Sequence, residues 1–198
     1  MKSVDPGDMD PSAVYRLMVS VIVPRPIAFI STISESGTTN LSPFSYFMGV
    51  SSRPPIVAVS IARGKDAEKD TMRNIRETGE FVVNIVTRDL AEPMVMSAAP
   101  HPPLVSEFAV TGLTPMGSDK VRPPRVKESP VHFECVVTDL VERPGGAATT
   151  LVLGRVLRFH VDRHLWADGN VDPRALDPLA RLGADWYATL NEPFQLKR

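Results

Sequence analysis

A short polar segment in the first half of the chain combines residue types that bind an anion. Lys69, Asp70 and Thr71 follow an apolar strand and stand at the predicted start of a helix that runs to Thr78. Asp70 or Thr71 is expected to cap this helix, and Gly79 to end it in the left-handed conformation. Backbone N–H groups at a helix start point outward with roughly half a positive charge. The segment suits a phosphate, although an ordinary capped surface helix has similar residues.

The histidines and the single cysteine offer other chemistry. His160 and His164 stand four residues apart, a spacing that places two metal ligands on one face of a helix. His160, however, ends a strand pattern and no third ligand is evident, so we predict no metal site. His101, in a proline-rich stretch, is a candidate for contact with a substrate. Cys135 is the only cysteine, which excludes an intrachain disulfide, and its strand pattern predicts a core position.

The elements that must position these residues are mostly strands. The apolar run 27–33 is rich in β-forming residues, and a hairpin loop over 35–40 leads into a second predicted strand over 41–50. Residues 56–62 are almost continuously apolar and should be buried on both faces. The anion-binding helix follows, and then a fourth strand over 81–86. Hairpins followed by a helix and a further strand predict a β-barrel with peripheral helices.

The second half of the chain predicts one long hairpin. Apolar and polar residues alternate over 131–138, and the same period returns over 151–161 after a turn at 144–146. Residues 98–129 are rich in Pro, Gly and Ser without a sustained period, which predicts a surface excursion that covers a site. Near the C-terminus, residues 179–182 and the surroundings of Trp186 are predicted to be helical.

Length and composition bound the class of protein. The 198 residues fit a single domain over 1–198 with a full-sized core. A net charge of -1 and a pI near 6.4 argue against nucleic acid as a partner. The first residues lack the basic start and apolar run of a signal peptide, and the early apolar stretch 18–23 is too short to span a bilayer. We expect a soluble protein of the reducing cytoplasm, with no membrane partner.

Several sequence blocks, in their order and spacing, resemble the flavin reductase family over about residues 10–190. The first blocks that carry the resemblance are residues 24–32, residues 40–47, Lys69-Asp70-Thr71 with Asn74, and residues 77–84. Further along, the similar blocks are Ser106-Glu107-Phe108 with Gly112-Leu113-Thr114, Glu128-Ser129-Pro130 with Glu134-Cys135, and Arg181-Leu182-Gly183 with Tyr187. No single block is diagnostic, but their ordered combination is specific. The resemblance implies a mainly β fold, the FMN-binding split β-barrel with a few peripheral helices.

The resemblance also implies where the flavin phosphate would bind. It would lie at the start of the short helix and near the end of the preceding strand. The residues concerned are Lys69, Thr71, Ser60 and, less directly, Arg63. The cationic and hydroxyl groups of these residues fit an anion. Two of them have an ordinary alternative, because a strand serine often bonds neighbouring backbone and a surface arginine is often only solvated.

For the rest of the flavin, the resemblance implies contacts along residues 40–45. This segment would follow the isoalloxazine ring and the ribityl chain, with the backbone of Leu41 and Ser42 facing N5 and O4. The polar side chains assigned to these contacts are Asn40, Ser42, Ser45, Ser31 and Thr32. For Ser31 and Thr32, bonds within the sheet are the alternative. Phe29 and Ala184 depart from the family pattern, in which Trp and a second Gly are common.

The hypotheses for function follow from the resemblance. No Gly-x-Gly-x-x-Gly motif follows a strand, so we predict no Rossmann site. The resemblance implies that NADH or NADPH stacks transiently on FMN, with FAD as the alternative flavin, and passes a hydride to N5. No acid or base residue can be named. The leading hypothesis is an NAD(P)H:flavin oxidoreductase that supplies reduced flavin to a partner monooxygenase. The alternatives are a flavoredoxin-like carrier, with ferredoxin as a conceivable partner, a flavin-storage protein, or an FMN-dependent reductase of another small molecule.

A homodimer is also implied by the resemblance. A split barrel leaves apolar surface and strand edges, and a two-fold partner would cover both. Trp186, Tyr187 and Phe194 are aromatic residues of the kind that is enriched at interfaces, although they are equally suited to a core.

Overall fold

The computed structural model describes residues 1–64, 68–102, 105–143, 148–190 and 192–196. No helix in these ranges is both long and apolar enough to cross a membrane. The helices are α1 (Pro11–Val21), α2 (Asp70–Thr78), α3 (Ala91–Ser97), α4 (Glu107–Thr111) and α5 (Pro173–Leu176), with 3₁₀ turns at Pro6–Asp8, Arg88–Leu90 and Arg163–Leu165. The strands are β1 (Arg25–Pro26), β2 (Ala28–Ile33), β3 (Thr39–Phe44), β4 (Phe47–Ser52), β5 (Pro55–Ala62), β6 (Glu80–Ile85), β7 (Pro115–Met116), β8 (Arg125–Val126), β9 (Val131–Arg143), β10 (Thr149–Val161), β11 (Trp166–Ala167), β12 (Asn170–Val171), β13 (Ala180–Arg181) and β14 (Tyr187–Ala188).

Seven strands form one antiparallel sheet in the order β3-β2-β6-β9-β10-β5-β4. β3 and β4 follow each other in the chain, yet they occupy opposite edges and are joined only by Ser45 and Tyr46. The sheet must therefore curl until its edges approach. Beside this junction the Ser60 amide donates to the Tyr46 carbonyl at 2.8 Å. Within the described residues β3 does not pair with β4, so the barrel stays split. The predicted mainly β fold with peripheral helices is confirmed.

Alternate residues of β2 contribute to two apolar clusters. Ala28 and Ile30 pack in a cluster made mainly of sheet strands, together with Met72 of α2. Phe29 belongs to a second cluster, which contains Met94 of α3 and residues of α4. Because successive strand residues point to opposite faces, β2 is buried on both sides. The strand that carries Ser31 and Thr32 is thus a central and well-anchored part of the molecule.

Gly154 lets β10 pass closely over a buried phenylalanine. A Cβ placed at Gly154 would lie 2.3 Å from Cζ of Phe81, whose side chain is fully buried. We expect Gly154→Ala to lower the free energy of unfolding by about 1–3 kcal/mol through overpacking. Gly117→Ala, next to β7, is the matched control, because a Cβ there has no neighbouring atom within 4 Å. Urea unfolding measures both, and equal midpoints would contradict the expectation.

Three predicted elements differ in the structure. The strand predicted over 41–50 is broken at Ser45, because the chain crosses there from the edge of β2 to the edge of β5. The helices predicted over 179–182 and near Trp186 are wrong, since β13 pairs with both β1 and β14. Pairing with a strand far away in the sequence overrides local propensity here. The turn predicted at 144–146 lies outside the described residues.

Sequence patterns did not predict α1, although its start is well marked. Asp10 Oδ1 accepts a hydrogen bond from the Ser12 amide at 2.8 Å, and Pro11 occupies the first helical position. Most of the helix remains accessible, and its exposed apolar side chains are Tyr15, Leu17, Met18 and Val21. The helix therefore contributes an apolar surface in addition to its single buried residue, Val19.

The excursion predicted over 98–129 is held down by buried side chains of the sheet. The Ser31 hydroxyl donates to the Pro124 carbonyl, and the Val126 amide donates to Asn84 Oδ1 at 2.9 Å. The Asp119 and Lys120 amides both donate to the buried Glu134 carboxylate, at 2.8 and 2.6 Å. This segment, which contains α4 and the β7–β8 pair, covers the sheet through specific polar anchors.

Candidate functional site

The start of α2 is a helix terminus without a side-chain cap. Lys69 is the N-cap residue, and no side chain among the described residues accepts a cap hydrogen bond there. This corrects the prediction of a cap at Asp70 or Thr71. At the other end, Gly79 has a φ of 68° and the left-handed conformation, as predicted. Because first-turn amides lack an intrahelical acceptor, the start of α2 presents N–H donors to an acceptor from outside the helix.

Four buried side chains dock α2 on β2 and β3. Asn40 Nδ2 donates to Thr71 Oγ1 at 2.9 Å, and Asn74 Nδ2 donates to Thr32 Oγ1 at 3.0 Å. Thr32 and Asn40 are directly opposite each other in the β2–β3 pair. Thr71 bonds the strand and is therefore not free to cap its own helix. We call these four residues the Asn–Thr quartet.

Asn74 is the member of the quartet that was not among the predicted site residues. Its side chain is buried, and its Oδ1 has no hydrogen-bond partner in the described part of the chain. A buried acceptor of this kind is costly unless a donor is supplied. Asn74 stands three residues after Thr71, so both lie on one face of the helix. This spacing could have indicated that Asn74 belongs to the same site as Thr71.

A cavity of about 360 Å³ lies beside the start of α2. It is lined by three cations, of which Arg76 pairs with two glutamates. Arg63 and Lys69 have no ion-pair partner among the described side chains. Lys69 Nζ lies 5.3 Å from the centroid of the Phe44 ring, and desolvation lowers the pKa of its ammonium group. Two uncompensated cations next to an uncapped helix start favour an anionic ligand.

The remaining predicted residues fall into two groups. Ser42 and Ser45 are half-buried on or next to β3, and Ser45 Oγ accepts from Arg25 Nε at 3.4 Å. Ser60 is half-buried on β5, one residue before Ile61 of the cationic cavity. The groups assigned at two other positions already have partners within the chain. The Ser31 hydroxyl bonds the excursion, and the Leu41 amide donates to Glu107 Oε2 at 2.9 Å.

Glu107 is a buried carboxyl beside β3 that was not among the predicted site residues. Burial raises its pKa, an effect only partly opposed by the hydrogen bond from the Leu41 amide. His101 lies near this carboxyl, and its Nε2 is 3.3 Å from the Met96 carbonyl. The block Ser106-Glu107-Phe108, which is part of the family resemblance, could have drawn attention to it, but only the fold shows that it reaches β3.

A larger cavity, of about 890 Å³, lies between α1 and residues 181–186. Ser45 and the buried Arg25 also line it, so this cavity meets the end of β3. We call it the α1 cavity. It was not predicted, because the chain segments that form it are separated by most of the sequence.

The two histidines considered as metal ligands have different surroundings. His160 Nε2 lies 2.6 Å from the buried Glu134 carboxylate, with Asp119 nearby. His164 lies 3.9 Å from Asp162 and is largely exposed. Cys135 is fully buried, as predicted, and burial raises the pKa of its thiol.

In the described part of the chain, an uncapped helix start and two cations without ion-pair partners lie beside the edge strand of a split barrel. The model of the flavin reductase like domain matches residues 19–174, and the chain belongs to this family. An uncharacterised protein of Halalkalibacterium halodurans is 36% identical, over 98% of this chain and 95% of the relative.

Solved structures agree with this assignment. Nitrilotriacetate monooxygenase component B from Bacillus cereus has a TM-score of 0.95 and 38% identity, and the match covers 99% of this chain and 98% of that one. A split-barrel protein from Shewanella frigidimarina, assigned as a flavin reductase, has a TM-score of 0.86 and 26% identity, covering 97% and 95%. The predicted family and the split-barrel fold are confirmed.

Proposed function

We propose that this protein binds FMN along β3 and transfers hydride from NADH or NADPH to that flavin. The observation that carries the proposal is the uncapped start of α2, flanked by Lys69 and Arg63, for which the described residues supply no carboxylate partner. Membership of the flavin reductase-like family supports it. One helix start with two cations suits a single terminal phosphate, which favours FMN over FAD.

The residues present fit such a ligand. Lys69, Arg63 and the first amides of α2 would hold the phosphate, with Ser60 close by. The Ser42 and Ser45 hydroxyls would face the ring and the ribityl chain from β3. The buried Asn74 Oδ1, which has no donor in the described residues, would accept from a ribityl hydroxyl.

Three of the predicted site residues would position the helix and would not contact the ligand themselves. Thr32, Asn40 and Thr71 hold α2 in place through the Asn–Thr quartet. The proposed contacts of Ser31 and Leu41 stay predictions, since both groups are engaged within the chain. Bound flavin would supply the redox chemistry, with N5 as the hydride acceptor. The role of the protein would be to bind and orient the flavin.

Replacing Lys69 tests the phosphate site. We expect Lys69→Gln to weaken FMN binding by about tenfold to a hundredfold, because a charge-assisted hydrogen bond contributes about 1.5–3 kcal/mol. Titration of the apoprotein with FMN measures this. Lys127→Gln, at an exposed lysine elsewhere, should leave the dissociation constant unchanged. Riboflavin lacks the phosphate and should bind both variants equally. A protein without measurable affinity for FMN would overturn the proposal.

The electron donor and acceptor are tested by turnover. We propose oxidation of NADH or NADPH that added flavin accelerates, with release of reduced flavin to a partner monooxygenase. The structural relative named as component B of a monooxygenase supports that partner. Tightly held FMN without nicotinamide oxidation would instead support a flavoredoxin-like carrier or a storage protein. Turnover only with an added small acceptor would support a reductase of another molecule.

We also propose a homodimer. Met48 and Val50 are exposed apolar residues of the edge strand β4, and the exposed Tyr46 directly precedes that strand. Arg25 links the junction between β3 and β4 to α1, because its side chain bonds both Ser45 and the Val19 carbonyl. Trp186 and Phe194 are also exposed, at 73% and 81%. A second copy that covers β4 and α1 would remove both an open edge and apolar surface from water.

The interface is tested by a matched pair of charges. Val50 and Val95 are 48% and 49% exposed on different elements. We expect Val50→Glu to give monomers in light scattering at micromolar concentration, because the charge would be buried against the second copy. Val95→Glu should stay dimeric. A wild-type monomer would contradict the proposed assembly.

A further inference from the structure

The α1 cavity has the size and lining of a small-molecule site. Its volume of about 890 Å³ lies within the range of ligand pockets. Tyr15 and Trp186, 60% and 73% exposed, present aromatic surface to it from α1 and from the segment 181–186. Ser45, next to the proposed flavin strand, forms part of the wall. A molecule bound here would lie beside the end of β3.

The charge of this cavity is positive. Arg25 is 5% exposed, and its guanidinium donates to the carbonyls of Val19, Ile22 and Leu182 at 2.6–2.7 Å. Among the described side chains no carboxylate pairs with it. Arg16 Nη1 donates to the Ser12 hydroxyl at 2.9 Å, and its charge also acts on Asp10, the N-cap residue of α1.

Arg181 is the third arginine of the wall, and its Nη2 donates to the Ala184 carbonyl. Its guanidinium lies 3.9 Å from Asp185, which is fully exposed. It also stacks on the Tyr187 ring at 4.4 Å. The described lining thus carries three guanidinium groups and one carboxylate. Arginine forks recognise carboxylates and phosphates with two parallel hydrogen bonds.

We infer that the α1 cavity binds a planar aromatic anion as the second substrate of the flavin site. Arg16 and Arg181 hold its carboxylate or phosphate, and its ring packs against Tyr15 and Trp186. Arg25 is committed to carbonyl groups and contributes its charge and the shape of the wall. The role of this ligand as a second substrate rests on the proposed function, whereas its binding to the cavity does not. The same chemistry is found in a nicotinamide dinucleotide and in an aromatic carboxylic acid.

Calorimetry on the FMN-loaded protein tests the site with two probes that do not turn over, NADP⁺ and benzoate. We expect the double variant Arg16→Gln, Arg181→Gln to bind one probe at least tenfold more weakly, from the loss of charge-assisted hydrogen bonds. Its dissociation constant for FMN should stay within twofold of the wild-type value. Trp186→Ala should weaken the same probe. Arg53→Gln, at an exposed arginine outside the cavity, is the control.

The possible results distinguish the inferred anion site in the α1 cavity from the proposed flavin function. Weaker binding of NADP⁺ supports the site with a nicotinamide dinucleotide as its ligand, and weaker binding of benzoate supports it with an aromatic acid. Wild-type protein that binds neither probe, or variants that bind both normally, would overturn it. Loss of FMN binding in the double variant would also overturn it, because the cavity would then hold the flavin. If the apoprotein binds a probe through these arginines but binds no FMN, the site stands and the proposed flavin function fails.

Discussion

Acidification from pH 7 to pH 5 should lower the free energy of unfolding by about 2 kcal/mol through His132 alone. This side chain is 4% exposed, its Nε2 lies 3.1 Å from the Val126 carbonyl, and its Nδ1 has no partner within the described residues. Burial first, and then the charges of Arg125 and His160, lower its pKa from 6.5 to about 3.

The direction of the effect follows from proton binding. An unfolded chain protonates His132 near pH 6.5, whereas the folded protein resists protonation down to about pH 3. Acid therefore favours the unfolded state. The stabilisation is complete above pH 6.5 and is lost progressively as the pH falls towards 3. The loss amounts to about 3 kcal/mol by pH 4.

Urea unfolding at several pH values checks this expectation. His132→Gln should be less stable at pH 7 but should lose less stability between pH 7 and pH 5 than the wild type. His164→Gln, at a side chain that is 69% exposed, should keep the wild-type slope. Glu107, whose raised pKa acts in the opposite direction, is present in all three proteins and cancels in the comparison. Parallel curves for wild type and His132→Gln would contradict the assignment.

Removal of the Glu134 carboxylate should destabilise the protein by about 3–5 kcal/mol, because it leaves buried donors without an acceptor. Glu134 is fully buried and accepts from the Asp119 and Lys120 amides and from His160 Nε2 at 2.6–2.8 Å. Burial alone would raise the pKa of this carboxyl, but these hydrogen bonds outweigh burial and lower it. The group is therefore ionised in the folded protein at neutral pH and anchors residues 119–120.

Glu134→Ala and Glu128→Ala form the matched pair for this test. Glu128 also accepts a backbone amide, that of Thr114 at 3.1 Å, but at the surface, where water can replace it. Its removal should cost less than about 1 kcal/mol. Denaturant unfolding compares the two variants. Hydrogen exchange at the 119–120 amides should rise in Glu134→Ala only, and similar stabilities for both variants would show that Glu134 is not the anchor.

Elements with a clear local pattern were predictable from the sequence. The alternation over 131–138 and 151–161 predicted the β9–β10 hairpin, which the structure extends at both strands, and Gly79 correctly predicted the end of α2. Failures occurred where partners distant in the sequence decide. Residues 180–181 pair with Arg25 and Pro26, an interaction that no local period encodes.

The candidate site shows the same division. The resemblance to the flavin reductase family placed Thr32, Asn40 and Thr71 near a ligand, but residue types alone could not show that these side chains bond one another or Asn74. The same limit applies to Glu107, because its contact with the Leu41 amide spans 66 residues. The α1 cavity was also beyond prediction, since its walls meet only after the barrel has formed.

The Asn–Thr quartet fixes the start of α2 before any ligand binds. Because the two pairs run in opposite directions between strand and helix, α2 is fastened without any ligand. Ligand binding would then require little ordering of the backbone, because the conformational entropy of the helix start is already lost when the protein folds. Association should accordingly be limited by encounter and orientation and not by a conformational gate. Such a site could exchange its occupant repeatedly without losing its shape, a property that the proposed release of reduced flavin would require.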